Sequence, residues 1–81
     1  MSATALTDQS VATLAYESQQ AISIRMEVMR HKRGLSIRAL ADELSMNYSS
    51  LSHRLQNRVD WTVTDVLAIR RRFGEDVLEG M

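Results

Sequence analysis

The chain of 81 residues contains no cysteine and no proline, and glycine occurs only at positions 34, 74 and 80. The absence of cysteine excludes disulfides and thiolate chemistry. Strand-rich folds need many turns, so the scarcity of the turn formers glycine and proline argues for helices. We therefore expect an all-α fold, and the length predicts one domain with a single modest core.

Several kinds of site are also missing. His31 and His53 are isolated, so no metal site has a plausible ligand set. There is no glycine-rich phosphate loop and no plausible Ser–His–Asp arrangement, so we expect no cofactor and no enzyme activity. We also expect no small-molecule ligand, because so short a chain leaves little room for a pocket.

Targeting signals are absent as well. The first ten residues lack the basic start and the apolar run of a signal peptide. No apolar stretch approaches the length of a membrane span. The sequence therefore predicts a soluble cytoplasmic protein with no membrane partner.

The formal net charge is zero, but the charges are unevenly distributed. Residues 25–58 carry seven basic and three acidic side chains, a net charge of +4, whereas residues 1–24 and 59–81 each have a net charge of −2. Local field matters more than total charge for steering a protein onto phosphates. The middle of the chain is therefore the candidate for contact with nucleic acid.

Residues 36–57 have the pattern of two short helices, over 37–44 and 48–56, joined by a tight turn. Apolar residues recur at helical spacing in each of them: Leu40, Ala41 and Leu44, then Leu51 and Leu55. Ser36 and Asn47 are suited to cap the two helix starts. This is the pattern of a helix-turn-helix, and it is the strongest functional signal in the chain.

The outward face of the second helix is fixed once Leu51 and Leu55 face inward. Together with the residue before the helix, it supplies six candidate base-reading side chains, none of them acidic: Asn47, Tyr48, Ser49, Ser52, His53 and Gln56. Such side chains donate to or accept from base edges in the major groove. Serine-rich faces also occur on ordinary helices, but a face serving only solubility typically carries Glu and Lys. We interpret this one as a DNA-reading surface.

Candidate phosphate contacts flank that surface: Ser36, Arg38, Arg54, Asn57 and Arg58. The backbone amides at the helix starts near Ser36 and Asn47 can also meet phosphates. Arg54 has two interpretations, either a phosphate contact or a core-edge residue with a buried stem. The basic run over residues 70–72 is interpreted as a solvated face with local ion pairs.

The N-terminal part of the chain predicts further helix. From residue 8 to residue 33 there is neither glycine nor proline, and small or apolar residues recur near the helical period. We predict a short helix over 8–17 and a core helix over 19–33, with one continuous helix as the alternative. Gly34 ends the core helix as a C-terminal cap.

Ile24 and Val28 lie four residues apart, off the main apolar stripe of the core helix. A helix with a second apolar face usually has a second neighbour. The pair therefore indicates either packing beneath the N-terminal segment or the C-terminal tail, or a dimer contact.

The start of the last helix is well signalled. Thr62 is an N-cap with Asp65 three residues later, and Trp61 is placed to staple onto Val66. The helix predicted over 63–73 is followed by a glycine and by a tail that offers one more helical turn. The whole chain then forms a compact bundle of about five helices.

The stretch IRMEVMRHKRGLSIRALADELSMNYSSLSHRLQNR resembles the Cro/CI-type helix-turn-helix family, also called lambda-repressor-like or xenobiotic-response-element-like. The pairs Leu40-Ala41 and Leu51-Ser52 match its motif, and WTVTDVLAIRRRFG is similar to the fourth helix of a phage-associated subgroup. The resemblance covers about residues 20–78. We therefore divide the chain into an N-terminal extension (1–18) and a DNA-binding domain (19–81).

Two residues depart from the family pattern. Ile37 stands where the family commonly has a glutamine that braces the phosphate backbone, and Ser45 replaces the usual turn glycine. The resemblance implies a small phage Cro-type repressor that binds an operator in double-stranded DNA as a homodimer, formed in solution or only on DNA. The alternative is an antitoxin or another protein-interaction module whose N-terminal helix grips a partner.

Overall fold

The computed structural model of the chain describes residues 16–79. This part forms four α-helices and no strand: α1 (Tyr16–Lys32), α2 (Ile37–Glu43), α3 (Tyr48–Leu55) and α4 (Val63–Phe73). The predicted all-α class is confirmed for these residues. The bounds of α2, α3 and α4 and the end of α1 lie within one residue of the predicted ones. The predicted extension over 1–18, and with it the fifth helix over 8–17, lies almost entirely outside the described residues.

The first described helix differs from the prediction at one point. α1 runs without interruption through Glu17 and Ser18. The predicted break between a first and a core helix at this position is therefore wrong, and Ser18 does not begin a helix. An unbroken helix is possible here because no glycine or proline interrupts the intrahelical hydrogen bonds.

One buried cluster receives side chains from every helix and from the loop between α3 and α4. Its members are Ile22, Met26 and Met29 of α1, Leu40, Ala41 and Leu44 at α2, Leu51 of α3, Trp61 of the loop, Val66 and Ile69 of α4, and Val77 of the tail. Leu55 is half-buried against this cluster. The apolar faces predicted for α2 and α3 therefore face inward, and the opposite face of α3 is left to solvent.

Each of the first three helices ends in a Schellman turn, in which the residue after the C-cap has a left-handed backbone. After α2, the Ser45 N–H donates to the Asp42 carbonyl at 3.1 Å and the Met46 N–H donates to the Ala41 carbonyl at 2.9 Å. The left-handed residues are Gly34 (φ +67°) after α1, Ser45 (φ +55°) after α2 and Asn57 (φ +61°) after α3. These local turns make the connections short, and α3 packs against both α2 and α1.

Ser45 makes the turn after α2 a point where stability can be gained. A non-glycine residue in the left-handed region costs roughly 1–2 kcal/mol, partly offset because glycine loses about 0.5–1 kcal/mol more conformational entropy on folding. We expect Ser45→Gly to raise the free energy of unfolding by about 0.5–1 kcal/mol, measured by urea denaturation followed by circular dichroism.

Gly34→Ala, which replaces a glycine at a left-handed position, is the opposite substitution and serves as the control. A Cβ at Gly34 would meet no atom within 4 Å, so only the backbone conformation opposes alanine there. We expect this variant to lose about 1 kcal/mol. A lower urea midpoint for Ser45→Gly would contradict the assignment of backbone strain to Ser45.

Candidate nucleic-acid interface

The two N-cap positions of α2 and α3 are occupied as predicted, but they are used differently. The Ser36 Oγ accepts a hydrogen bond from the Ala39 N–H at 3.0 Å, so this side chain caps α2. Asn47 has the extended backbone of an N-cap, yet its side chain accepts no capping hydrogen bond from a backbone N–H of α3. Its Oδ1 instead accepts from the Ser50 hydroxyl at 2.7 Å. The predicted side-chain cap at Asn47 is therefore absent, and the residue contacts the first turn of α3 through the Ser50 side chain instead.

The surface of α3 that faces away from the core is polar and carries no Asp, Glu, Lys or Arg side chain. We call Tyr48, Ser49, Ser52, His53 and Gln56 the α3 outer face. Ser52 is half-buried and the other four are exposed. The Gln56 Nε2 donates to the Ser52 Oγ at 3.1 Å, one helical turn away. Five of the six predicted base-reading residues thus share one accessible face, and Asn47 lies exposed just before it.

Arg38 contacts the edge of this face. It lies in the first turn of α2, and its guanidinium carbon is 4.9 Å from the centroid of the Tyr48 ring. A guanidinium this close to an aromatic face is attracted by the ring quadrupole. Because Tyr48 is the first residue of α3, the contact joins the two helices beside the turn.

Most other basic side chains in the region 25–58 are used inside the molecule. Arg25 donates to the carbonyls of Val77 and Glu79, Arg30 pairs with Glu27, Arg33 pairs with Glu75, and Arg54 pairs with Asp65. Lys32, Arg38 and Arg58 make no ion pair with any described residue. The field available to an anionic partner is therefore smaller than the count of charges suggests, and Arg38 and Arg58 are the free arginines next to α3.

The ion pair at the end of α1 changes the pKa of both of its side chains, Glu27 and Arg30. The Arg30 guanidinium donates to both oxygens of Glu27, at 2.7 and 3.3 Å, and this hydrogen bonding lowers the pKa of the Glu27 carboxyl. The same bond raises the pKa of Arg30. Because the Glu27 pKa is depressed on folding, the stabilisation from this pair is present at neutral pH and is lost only as the pH falls through the lowered value.

Arg54 points toward the core edge. Its side chain is 18% exposed, and its Nε donates to the Asp65 Oδ2 at 2.8 Å, where Asp65 is itself only 11% exposed. The Nη1 also donates to the Ser50 carbonyl at 3.2 Å. Of the two interpretations of Arg54, the geometry fits the core-edge one, because the guanidinium already compensates a buried carboxylate. We therefore interpret Arg54 as a structural residue and not as a phosphate contact.

Asp65 completes the capping box predicted for α4. Its N–H donates to the Thr62 Oγ1 at 3.1 Å, and its Oδ2 accepts from the Thr62 N–H at 2.9 Å. The same carboxylate oxygen accepts from Arg54 of α3. The Asp65 carboxylate thereby joins the start of α4 to the last turn of α3.

A second buried polar group was not predicted from the sequence. The Gln19 amide pairs with the main chain of Trp61, donating to its carbonyl at 2.8 Å and accepting from its N–H. The indole Nε1–H of Trp61 donates to the Ser23 Oγ at 2.8 Å. Gln19 and Ser23 lie four residues apart on the buried side of α1, and polar residues at that spacing within an apolar stripe were the available signal.

Asn57 takes part in the same group of contacts. The Ser23 hydroxyl lies 2.8 Å from the Asn57 Oδ1 and 3.0 Å from the Arg54 carbonyl, and its single proton can be donated to one of them at a time. The left-handed backbone of Asn57 closes α3. Asn57 therefore has a structural role, and its Nδ2 hydrogens remain available outside it.

Two further features of the described part of the chain concern metal ligation and membrane crossing. Among residues 16–79, no group of three or more His, Cys, Asp or Glu side chains is placed to hold a metal ion. No helix in this range is both long and apolar enough to cross a membrane.

Comparison with known proteins identifies no relative. No protein-family model, no curated protein and no solved structure matches the chain. The resemblance to the Cro/CI-type family stays a prediction from the motif residues. Support for a function therefore comes from the α3 outer face and from the arginines beside it.

The geometry predicts that Arg54 stabilises the fold. Arg54→Met keeps the apolar stem and removes the charge, which leaves Asp65 buried without its cation. We expect a loss of about 3 kcal/mol in the free energy of unfolding, measured by urea denaturation.

The matched control is Arg72→Met. Arg72 pairs with Glu43 in a more exposed setting, and exposed pairs contribute at most about 1 kcal/mol. Equal stability of the two variants, together with weaker DNA binding by Arg54→Met, would restore the phosphate interpretation of Arg54.

Proposed function

We propose that this chain is a sequence-specific double-stranded DNA-binding transcriptional regulator of the helix-turn-helix type. In this proposal α2, the turn over residues 44–47 and α3 are the motif, and α3 enters the major groove. The observation that carries the proposal is the α3 outer face, an accessible polar surface without a carboxylate and with an unpaired arginine at its edge. A carboxylate there would repel phosphates, whereas hydroxyl, imidazole and amide groups suit base edges.

The outer face offers chemically distinct reading groups. Gln56 already donates from its Nε2 to Ser52, which leaves its Oε1 as an acceptor for the adenine amino group. Ser49 and His53 lie one helical turn apart, both exposed, and each can donate or accept. Because the N-terminal part of a recognition helix reaches deepest, Asn47 and Ser49 are the first candidates for base contact.

Phosphate contacts are proposed at both ends of α3. Arg38 lies beside its first residue and Arg58 follows its C-terminal turn, and neither guanidinium donates a hydrogen bond to any described residue. Ser36 keeps its hydroxyl proton as a donor because its oxygen accepts the cap bond. Asn57 keeps its Nδ2 hydrogens. Such contacts set the register of the protein on the duplex without reading sequence.

The biological role proposed is that of a small phage Cro-type repressor acting on DNA in the cytoplasm of a bacterial host. Binding of an operator through the major groove then occludes a promoter. A two-fold symmetric operator would be bound by a homodimer, with half-sites about 34 Å apart along the duplex.

Removal of reading groups is expected to weaken operator binding and leave the fold intact. With an operator selected from random DNA, Ser49→Ala and His53→Ala should each reduce the binding free energy by about 1–3 kcal/mol for every base edge that the side chain reads. The measurement is fluorescence anisotropy, with thermal unfolding as the check on folding.

His31→Ala is the matched control for His53→Ala, because His31 is exposed in the last turn of α1 and belongs neither to the α3 outer face nor to the proposed phosphate contacts. Its operator affinity should equal that of the parent chain. Unchanged operator binding by alanine variants at every outer-face position would exclude the proposed reading surface.

Removal of a phosphate-binding side chain should have a different signature. Arg38→Ala and Arg58→Ala are expected to weaken binding to operator and to unrelated duplex by the same factor. Each should also reduce the slope of log affinity against log salt by about 0.9. Arg71→Ala, which removes an exposed arginine of α4, is the control expected to leave the slope unchanged. A loss confined to the operator would contradict a phosphate role.

One observation favours a second candidate, an antitoxin or other protein-interaction module. Ile24 and Val28 are 65% and 51% exposed on α1, so the tail over 75–79 leaves much of both side chains uncovered, and the N-terminal segment predicted to pack on them lies outside the described residues. An adjacent exposed apolar pair marks a surface for a partner or a second copy. Co-purification of a second protein that is lost on Ile24→Ser would favour this candidate, whereas a self-contained species that binds duplex would favour DNA binding.

A further inference from the structure

We infer that Tyr48 is a positioning residue that holds Arg38 ready for a backbone phosphate, so that its ring and not its hydroxyl matters for DNA binding. The inference rests on the proposed function and refines the role of one residue in it. It differs from the sequence-based expectation for Tyr48, which places that side chain among the base readers.

The surroundings of Arg38 set it apart from the paired arginines. Four arginines of the described region, at positions 30, 33, 54 and 72, form ion pairs with carboxylates. Arg38 has Asp42 one turn further along α2, yet the two make no ion pair. Its partner within residues 16–79 is the Tyr48 ring, 4.9 Å from the guanidinium carbon.

The nature of that partner decides what Arg38 can still do. A carboxylate would occupy the N–H donors of the guanidinium and neutralise its charge. An aromatic face attracts the cation without accepting those N–H bonds, so the donors and the charge remain available to a phosphate. The Arg38 side chain is therefore held in place while its N–H donors are still without an acceptor among the described residues.

Holding the side chain also lowers the cost of binding. A free arginine loses considerable rotamer entropy when it binds a phosphate, and a side chain already held in position loses less. Tyr48 is suited to this role because it is the first residue of α3 and 43% exposed. Its hydroxyl makes no hydrogen bond to any residue of the described region, so no interaction there requires the oxygen.

The test is a double-mutant cycle on DNA affinity. Tyr48→Phe keeps the ring and removes the hydroxyl, whereas Tyr48→Leu removes the ring. Each is measured against a selected operator and an unrelated duplex over a salt series, alone and combined with Arg38→Ala or, as the control, with Arg58→Ala. In the free proteins, proton NMR of the Arg38 side chain reports the stack through the ring-current shift.

We expect Tyr48→Phe to bind both duplexes like the parent chain and to keep the ring-current shift. Tyr48→Leu should abolish the shift and weaken binding to both duplexes by roughly two- to twelve-fold, the range for ordering one rotamer-rich side chain on binding. Combined with Arg38→Ala, Tyr48→Leu should weaken DNA binding no further. Combined with Arg58→Ala, it should weaken binding by its full factor, because only coupled residues show non-additive effects.

Three results would overturn the inference while leaving the proposed function in place. The first is that Tyr48→Phe binds DNA as weakly as Tyr48→Leu does. The second is that Tyr48→Leu weakens binding to the operator alone, and the third is that it weakens binding by its full factor even when Arg38→Ala is present. Each would return Tyr48 to base reading or to a role independent of Arg38. Absence of duplex binding by the parent chain itself would overturn the proposed function, and this inference with it.

Discussion

The docking of Trp61 onto α1 is the constraint on which the rest of the structure depends. This fully buried side chain lies in the loop between α3 and α4, and two polar residues of one helix face, Gln19 and Ser23, satisfy its carbonyl, its main-chain N–H and its indole N–H. Buried polar groups are expensive unless paired, so the full set of bonds specifies one position for the loop. That position fixes the end of α3, through Asn57, and the beginning of α4.

The second organising feature is that some arginines are paired with carboxylates inside the molecule and others are left available at the surface. The pair of Arg54 with Asp65 is nearly removed from water and joins α3 to the capping box of α4, whereas Arg38 and Arg58 remain without a carboxylate partner among the described residues. A chain of zero formal charge can still present a local positive field when its acids are used by other arginines. Under the proposed function, this division explains how a neutral protein approaches a phosphate backbone at a chosen place.

Sequence reasoning succeeded where local physics decides the outcome. The end of α1 at Gly34 and the capping box of α4 depend on hydrogen bonds between residues that are close in the chain. The inward faces of α2 and α3 follow from the helical spacing of their apolar residues. It was incomplete where distant residues decide. The contact of Ser23 with Trp61, 38 residues away, was not predicted, and the contact of Arg54 near the core edge with Asp65, 11 residues away, fits one of two interpretations that the sequence left open. The sequence left a break at Ser18 and an unbroken helix as alternatives because Ser18 is equally acceptable as a cap and as an interior residue, and the structure has the unbroken one.

The separation of α3 into two faces has a consequence for how such a chain can change over time. Leu51, Leu55 and Arg54 hold the helix in place, and none of the five outer-face residues belongs to the buried cluster. Substitutions at exposed positions outside structural contacts usually alter stability by only about 0.5 kcal/mol. Under the proposed function, a lineage of this fold can therefore diverge in the DNA sequence that its outer face reads while the scaffold stays the same, so a change of specificity need not cost the chain its stability.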